Sequence, residues 1–131
     1  MPRRLEPEVK EFMDKIGASQ FDLPGYRGMV AGLSGCALVI KISRTEKSFW
    51  GLDGKLIDGL VELYKSEALR FYCIFLVNAS EGWAYQDQNV IQLINSEKWK
   101  KDKKNQYKVN PPLLDRFAFS SVERFKNIVK L

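Results

Sequence analysis

The chain has 131 residues, 45% of them apolar, with three Trp, five Tyr and eight Phe. That is enough to close one hydrophobic core and too little for two, so a single domain over 1–131 is expected. Lys and Arg number 21 against 16 Asp and Glu, a net charge of +5, and histidine is absent. Its absence removes imidazole bases, Ser-His triads and nearly all zinc sites. Two cysteines and an amino terminus without a secretory pattern point to a reducing, intracellular and cytoplasmic setting. The longest apolar run, over 71–77, is far short of the roughly 20 residues of a membrane helix.

In chain order, Leu5, Val9, Phe12, Met13 and Ile16 recur at helical spacing, with Glu6, Glu8, Lys10, Glu11 and Asp14 opposite. An amphipathic helix is predicted there, closed by Gly17. Residues 22–35 hold Pro24, Gly25, Gly28, Gly32 and Gly35, so a turn, a short strand over 29–33 and another turn are expected. The glycines are not followed by Gly-Lys-Ser/Thr, and a strand rather than a helix comes next, which argues against a phosphate loop. Residues 36–43 (CALVIKIS) are continuous and β-branched, as in a central strand. A polar connection over 44–47 leads to an extended segment over 48–52.

Leu56, Ile57, Leu60, Val61 and Tyr64 mark a second helix, with Asp58, Glu62 and Lys65 on its wet face. Residues 71–78 (FYCIFLVN) form the clearest strand, followed by a turn and a short antiparallel partner over 83–86. Asp87 is placed to cap a helix carrying Val90, Ile91 and Ile94 that runs on toward the basic segment. An edge strand over 107–110 stops at Pro111-Pro112. Ser120 to Glu123 has the spacing of a capping box, and Val122, Phe125, Ile128 and Val129 make the last helix amphipathic. The order helix, two or three strands, helix, strand, strand, helix, strand, helix defines a mixed α/β fold, a small central sheet flanked by helices.

The charge is concentrated. Residues 98–108 read KWKKDKKNQYK, six lysines against the single Asp102, so the rest of the chain balances to zero. Lys98, Lys100, Lys101, Lys103, Lys104 and Lys108 could grip phosphates, with Trp99 and Tyr107 stacking on bases. The plainer alternative is a solvated connector whose lysines keep the protein soluble. Lysine in place of arginine suits contact with a charged backbone more than reading of base edges. An acidic protein surface would use the same patch.

Other candidates have ordinary readings. Cys36 and Cys73 lie on apolar strands without an activating neighbour, as buried, inert thiols do. Asn78-Ala79-Ser80 matches a glycosylation acceptor, which has no meaning without a secretory signal. Trp50 and Trp83 are read first as packing residues and second as a stacking surface. Lys41 is different: a lone lysine in a continuous apolar strand requires a carboxylate, a pocket or an exit to solvent.

The stretch CALVIKISRTEKSFWGLDGKLIDGLVELY followed by FYCIFLVNASEGWAYQDQNVIQLI resembles the restriction-endonuclease-like PD-(D/E)xK nucleases, which include Holliday junction resolvases. The resemblance runs from the first helix to about Ile94. It implies a strand bearing the motif lysine, then a polar stretch and helix, then a hydrophobic strand. It also implies carboxylates holding Mg²⁺ or Mn²⁺ against a phosphate, with the lysine beside the attacking water. Lys41 matches that lysine. The acidic residue two positions earlier is replaced by Val39, and the upstream aspartate can only be Asp22. Glu8 or Glu11 could supply the first-helix acid of many members, and Asp58 or Glu62 a carboxylate moved to the following helix. The same acids also read as solvated helix charges.

A nucleic-acid-binding domain that has lost cleavage is therefore the first expectation. The alternative is an active endonuclease using Lys41, Asp22, Asp58 and Glu62, with Asp22 and Asp58 on the metal. The third reading is a non-enzymatic interaction subunit docked on an acidic partner. Self-association into a homodimer is compatible with each, and no cofactor is required outside the nuclease reading.

Overall fold

The computed structural model describes residues 6–21, 30–42, 50–109 and 115–129. Expectations that fall on Leu5, Asp22, Met29, residues 44–47 and Pro111-Pro112 lie outside them.

The first helix, α1 (Pro7–Ile16), buries Val9, Phe12, Met13 and Ile16, the stripe its spacing predicts. It ends at Gly17, whose φ of 79° lets Gly17 and Ala18 donate back to Asp14 and Met13. Three strands follow as an antiparallel meander: β1 (Ser19–Phe21), β2 (Val30–Leu33) and β3 (Cys36–Ile42). Next come β4 (Trp50–Asp53), α2 (Gly54–Glu67), β5 (Phe71–Leu76), β6 (Gly82–Gln86) and α3 (Asp87–Asn95). The chain closes with β7 (Gln106–Val109), a 3-10 turn at Asp115–Phe117, β8 (Ala118–Phe119) and α4 (Val122–Val129).

The central sheet has the order β1-β2-β3-β5-β6-β8. Its parallel pair is β3 and β5, in the register Ala37↔Phe71 through Ile42↔Leu76, and α2 lies on the connection between them. The mixed α/β class is the expected one. Alternation along β3 divides the core: Ala37 and Val39 face one side, Leu38 and Ile40 the other. The first side is covered by α2, α3 and a separate two-stranded sheet of β4 and β7; the second by α1 and α4. All six residues of β5 are buried, because both of its faces are covered. Among the described residues no helix is long and apolar enough to cross a membrane.

Three expectations are displaced. The helix carrying Val90 stops at Asn95, and the basic segment after it is a β-ribbon rather than a helix extension. The last helix is capped one residue later than its capping box suggests, with Ser121 Oγ accepting from the Arg124 amide at 3.1 Å. Asp87 does not cap from outside its helix but begins it, fully buried, and binds across to β5.

Candidate nucleic-acid interface

The lysine segment is a ribbon fixed at its turn, along one strand and at its root. At the turn, Asp102 Oδ1 accepts the amides of Lys104 at 2.8 Å and Gln106 at 3.0 Å, while the Asp102 amide donates to the Gln106 carbonyl. The Gln106 amide, then desolvation opposed by the Lys104 amide and nearby lysines, leaves the Asp102 carboxyl below the usual range. Lys101 pairs with Tyr107 across the ribbon, and the Lys108 amide donates to the Lys100 carbonyl. The inner strand is β7, which pairs with β4 in the register Trp50↔Val109 to Asp53↔Gln106.

The ribbon is clamped to the start of α2. The Gly54 amide donates to the Asn105 carbonyl at 2.8 Å, an approach open only to glycine, since a Cβ there would overlap that carbonyl. Further along α2, Asp58 Oδ1 accepts the Tyr107 hydroxyl at 2.7 Å and Asp58 Oδ2 pairs with the Lys101 ammonium. The same ammonium sits over the Tyr107 ring. Desolvation first, and the Asp58 bond second, push the Tyr107 hydroxyl pKa well up.

The aromatic residues of the segment are core, which corrects their expected role in stacking on bases. Trp99 is 5% exposed, stacks on Tyr85 at 5.9 Å and meets Phe75 edge-on. Tyr107 is equally buried. Neither offers a ring face to a ligand, because burying these rings is what holds a ribbon of lysines onto the body. Trp50 is buried too, donating its indole N–H to the Leu76 carbonyl at 3.2 Å and meeting Trp83 edge-on. The six lysines themselves are exposed.

Lys41 is half-buried near the end of β3, opposite Phe75, on the face that α2 covers. Glu8 and Glu11 belong to α1, which covers the other face of the sheet. Glu11 pairs with Lys15 at 3.5 Å. Glu62 is exposed on α2, one turn beyond Asp58, and Val39 is buried in the core. Asp22 lies outside the described residues. The structure thus gathers Asp58, Lys101 and Tyr107, a trio that sequence reasoning had divided between a metal site and a phosphate grip. Among the described residues no group of three Cys, Asp or Glu side chains is placed to hold a metal ion. Cys73 is fully buried and Cys36 partly so, and burial pushes both thiols up, away from the reactive thiolate.

Sequence reasoning missed Arg70. Its guanidinium meets Asp87 with Nε at 2.6 Å and Nη2 at 3.3 Å, and the Phe71 amide donates to the same carboxylate at 3.2 Å. The β5–β6 hairpin brings them together, since Tyr72↔Gln86 pairing sets the preceding and following residues side by side. A carboxylate directly after a strand was the available signal, but its partner lies 17 residues away.

No protein-family model matches this chain, and no curated protein matches it in sequence. Among solved structures it is similar to Hjc, a Holliday junction resolvase of the hyperthermophilic archaeon Archaeoglobus fulgidus. The two share 13% identity over 79% of this chain and 78% of that one, with a TM-score of 0.43.

Proposed function

We propose that this chain is a nucleic-acid-binding domain of restriction-endonuclease-like architecture that has lost cleavage. The observation that carries the reading is the lysine ribbon: exposed ammonium groups on a backbone fixed by Asp102, Gly54, Asp58 and the buried Trp99. A fixed array loses less conformational freedom on binding than a mobile tail, and every phosphate it neutralises releases counterions. Without exposed rings or arginines in the ribbon, contact is with the charged backbone rather than with bases.

The architecture agrees with the resemblance in one respect. The strand bearing Lys41 leads to α2 and then to the hydrophobic β5, laid parallel beside it. Loss of cleavage is supported by two positions. Val39 is apolar and buried where the motif places an acid, and Asp58 already receives Tyr107 and Lys101.

The test is a titration of labelled duplex, branched and single-stranded DNA at two salt concentrations with Mg²⁺ present, the same samples being scored for cleavage. Binding that weakens steeply with salt and yields no product is the expected result. Metal-dependent product would return Asp22 and Lys41 to a catalytic role, and no binding at low salt would end the nucleic-acid reading.

A further inference from the structure

At the end of the sheet remote from Lys41, where β5 begins and β6 ends, lies a cleft of about 390 Å³. Its polar wall is Arg70, Tyr72 and Gln86; its apolar wall includes Phe117 and the last turn of α4, with Ile128 and Val129. Small-molecule sites join apolar surface to a few polar groups that fix orientation, and in this cleft the polar groups make up the larger share of the lining.

The polar groups are held in place from behind. Asp87 is fully buried and takes Nε and Nη2 of Arg70, which fixes the plane of the guanidinium and turns the Nη1 edge away from it. Nearly half of the Arg70 side chain remains exposed. The Tyr72 hydroxyl donates to the Val129 carbonyl at 3.0 Å, so the α4 wall is fixed as well and that hydroxyl's proton is committed. Gln86 brings an amide to the rim opposite Tyr72 in the strand register.

We propose that this cleft binds a small organic monocarboxylate, its carboxylate on the Nη1 edge of Arg70 beside the Gln86 amide and its apolar body against Phe117, Ile128 and Val129. The planar fork fits a carboxylate or a phosphate, and the charge balance decides between them. Among the described residues lining the cleft Arg70 is the cation, Asp87 behind it offsets that charge, and the Arg116 guanidinium stands over the Phe117 ring at 4.7 Å. With Arg70 offset by Asp87, a dianion would leave more charge uncompensated than a monoanion, which trades hydration for a preoriented donor pair.

The probe is 3-phenylpropionate, compared with its neutral isostere 3-phenylpropan-1-ol, added to the ¹⁵N-labelled full chain. Saturable shifts are expected at the Arg70 Nε–H and at the Tyr72, Gln86 and Ile128 amides, with the alcohol weaker by about tenfold or more. Gln86→Glu sets a like charge against the ligand without touching the Arg70–Asp87 pair, and should weaken the carboxylate by a similar factor. Arg70→Lys keeps a cation for Asp87 but removes the fork, and serves as the second variant if the first does not fold. Replacing ribbon lysines should leave these shifts unchanged, which separates this site from nucleic-acid binding. Absence of saturation, equal response to the alcohol, or a folded variant that binds the carboxylate as well as the parent would overturn the assignment.

Discussion

The Tyr107 hydroxyl donates a 2.7 Å hydrogen bond to Asp58 Oδ1, joining the lysine ribbon to the middle of α2. A candidate catalytic acid and a candidate base-stacking ring are thereby the two halves of one structural clasp. Tyr107→Phe removes the bond and keeps the ring. Because the Asp58 side chain is 47% exposed and can turn to water, the expected loss is modest, about 1 kcal/mol in urea unfolding. No measurable loss would mean that the clasp does not contribute.

The same hydroxyl sets an alkaline limit. Desolvation, then Asp58, raise the Tyr107 hydroxyl above its ordinary value of 10.0. The unfolded chain therefore gives up this proton first as pH rises. The contribution is fully present below about pH 10 and declines above it. Tyr72, raised chiefly by burial, acts in the same direction. Stability measured across this range should fall more steeply for the parent than for Tyr107→Phe; superimposable curves would sink the explanation.

Trp99 gives a second contrast between packing and binding. Its indole stacks on Tyr85 and touches Phe75 inside the core, so Trp99→Ala is expected to cost about 3–5 kcal/mol, with loss of near-ultraviolet circular dichroism. Trp99→Phe should cost less. A variant of unchanged stability but weaker DNA binding would restore the base-stacking role.

The ribbon itself is tested by Gln at Lys98, Lys100, Lys103 and Lys104. Lys101 is left intact because it pairs with Asp58. The four side chains are exposed, so stability should hold. If all four meet duplex phosphates, the slope of log affinity against log salt becomes shallower by up to about 3.6. An unaltered slope would take the segment out of the interface.

Ala68 ends α2 at φ 57°, a left-handed conformation in which a Cβ is strained. Ala68→Gly relieves that strain and surrenders some unfolded-state entropy, for a net gain of about 0.5–1 kcal/mol and a few degrees in thermal midpoint. A lower midpoint would show that the strain is already relaxed.

Periodicity carried most of the fold. The stripes of α1 and α2, the continuous apolar runs of β3 and β5, and the turn before β6 are local patterns, and each formed where its pattern lay. The ribbon was less legible. Its lysines and Asp102 resemble a solvated connector in sequence, because nothing within 11 residues says that Trp99 and Tyr107 point inward. That depends on β4, some 50 positions earlier, offering an edge to β7.

The sequence by itself determined the class of architecture, the concentration of positive charge, the absence of imidazole chemistry and the apolar side chain at Val39. These follow from composition and short-range spacing, which need no distant partner. Only the tertiary structure decided that Asp58 clasps Lys101 and Tyr107, that Arg70 is fixed by Asp87, and that α1 carries Glu8 and Glu11 on the sheet face away from Lys41. Each of these is a pairing across long sequence separation, set by strand register and by which face of the sheet a helix covers, and a one-dimensional pattern does not encode either.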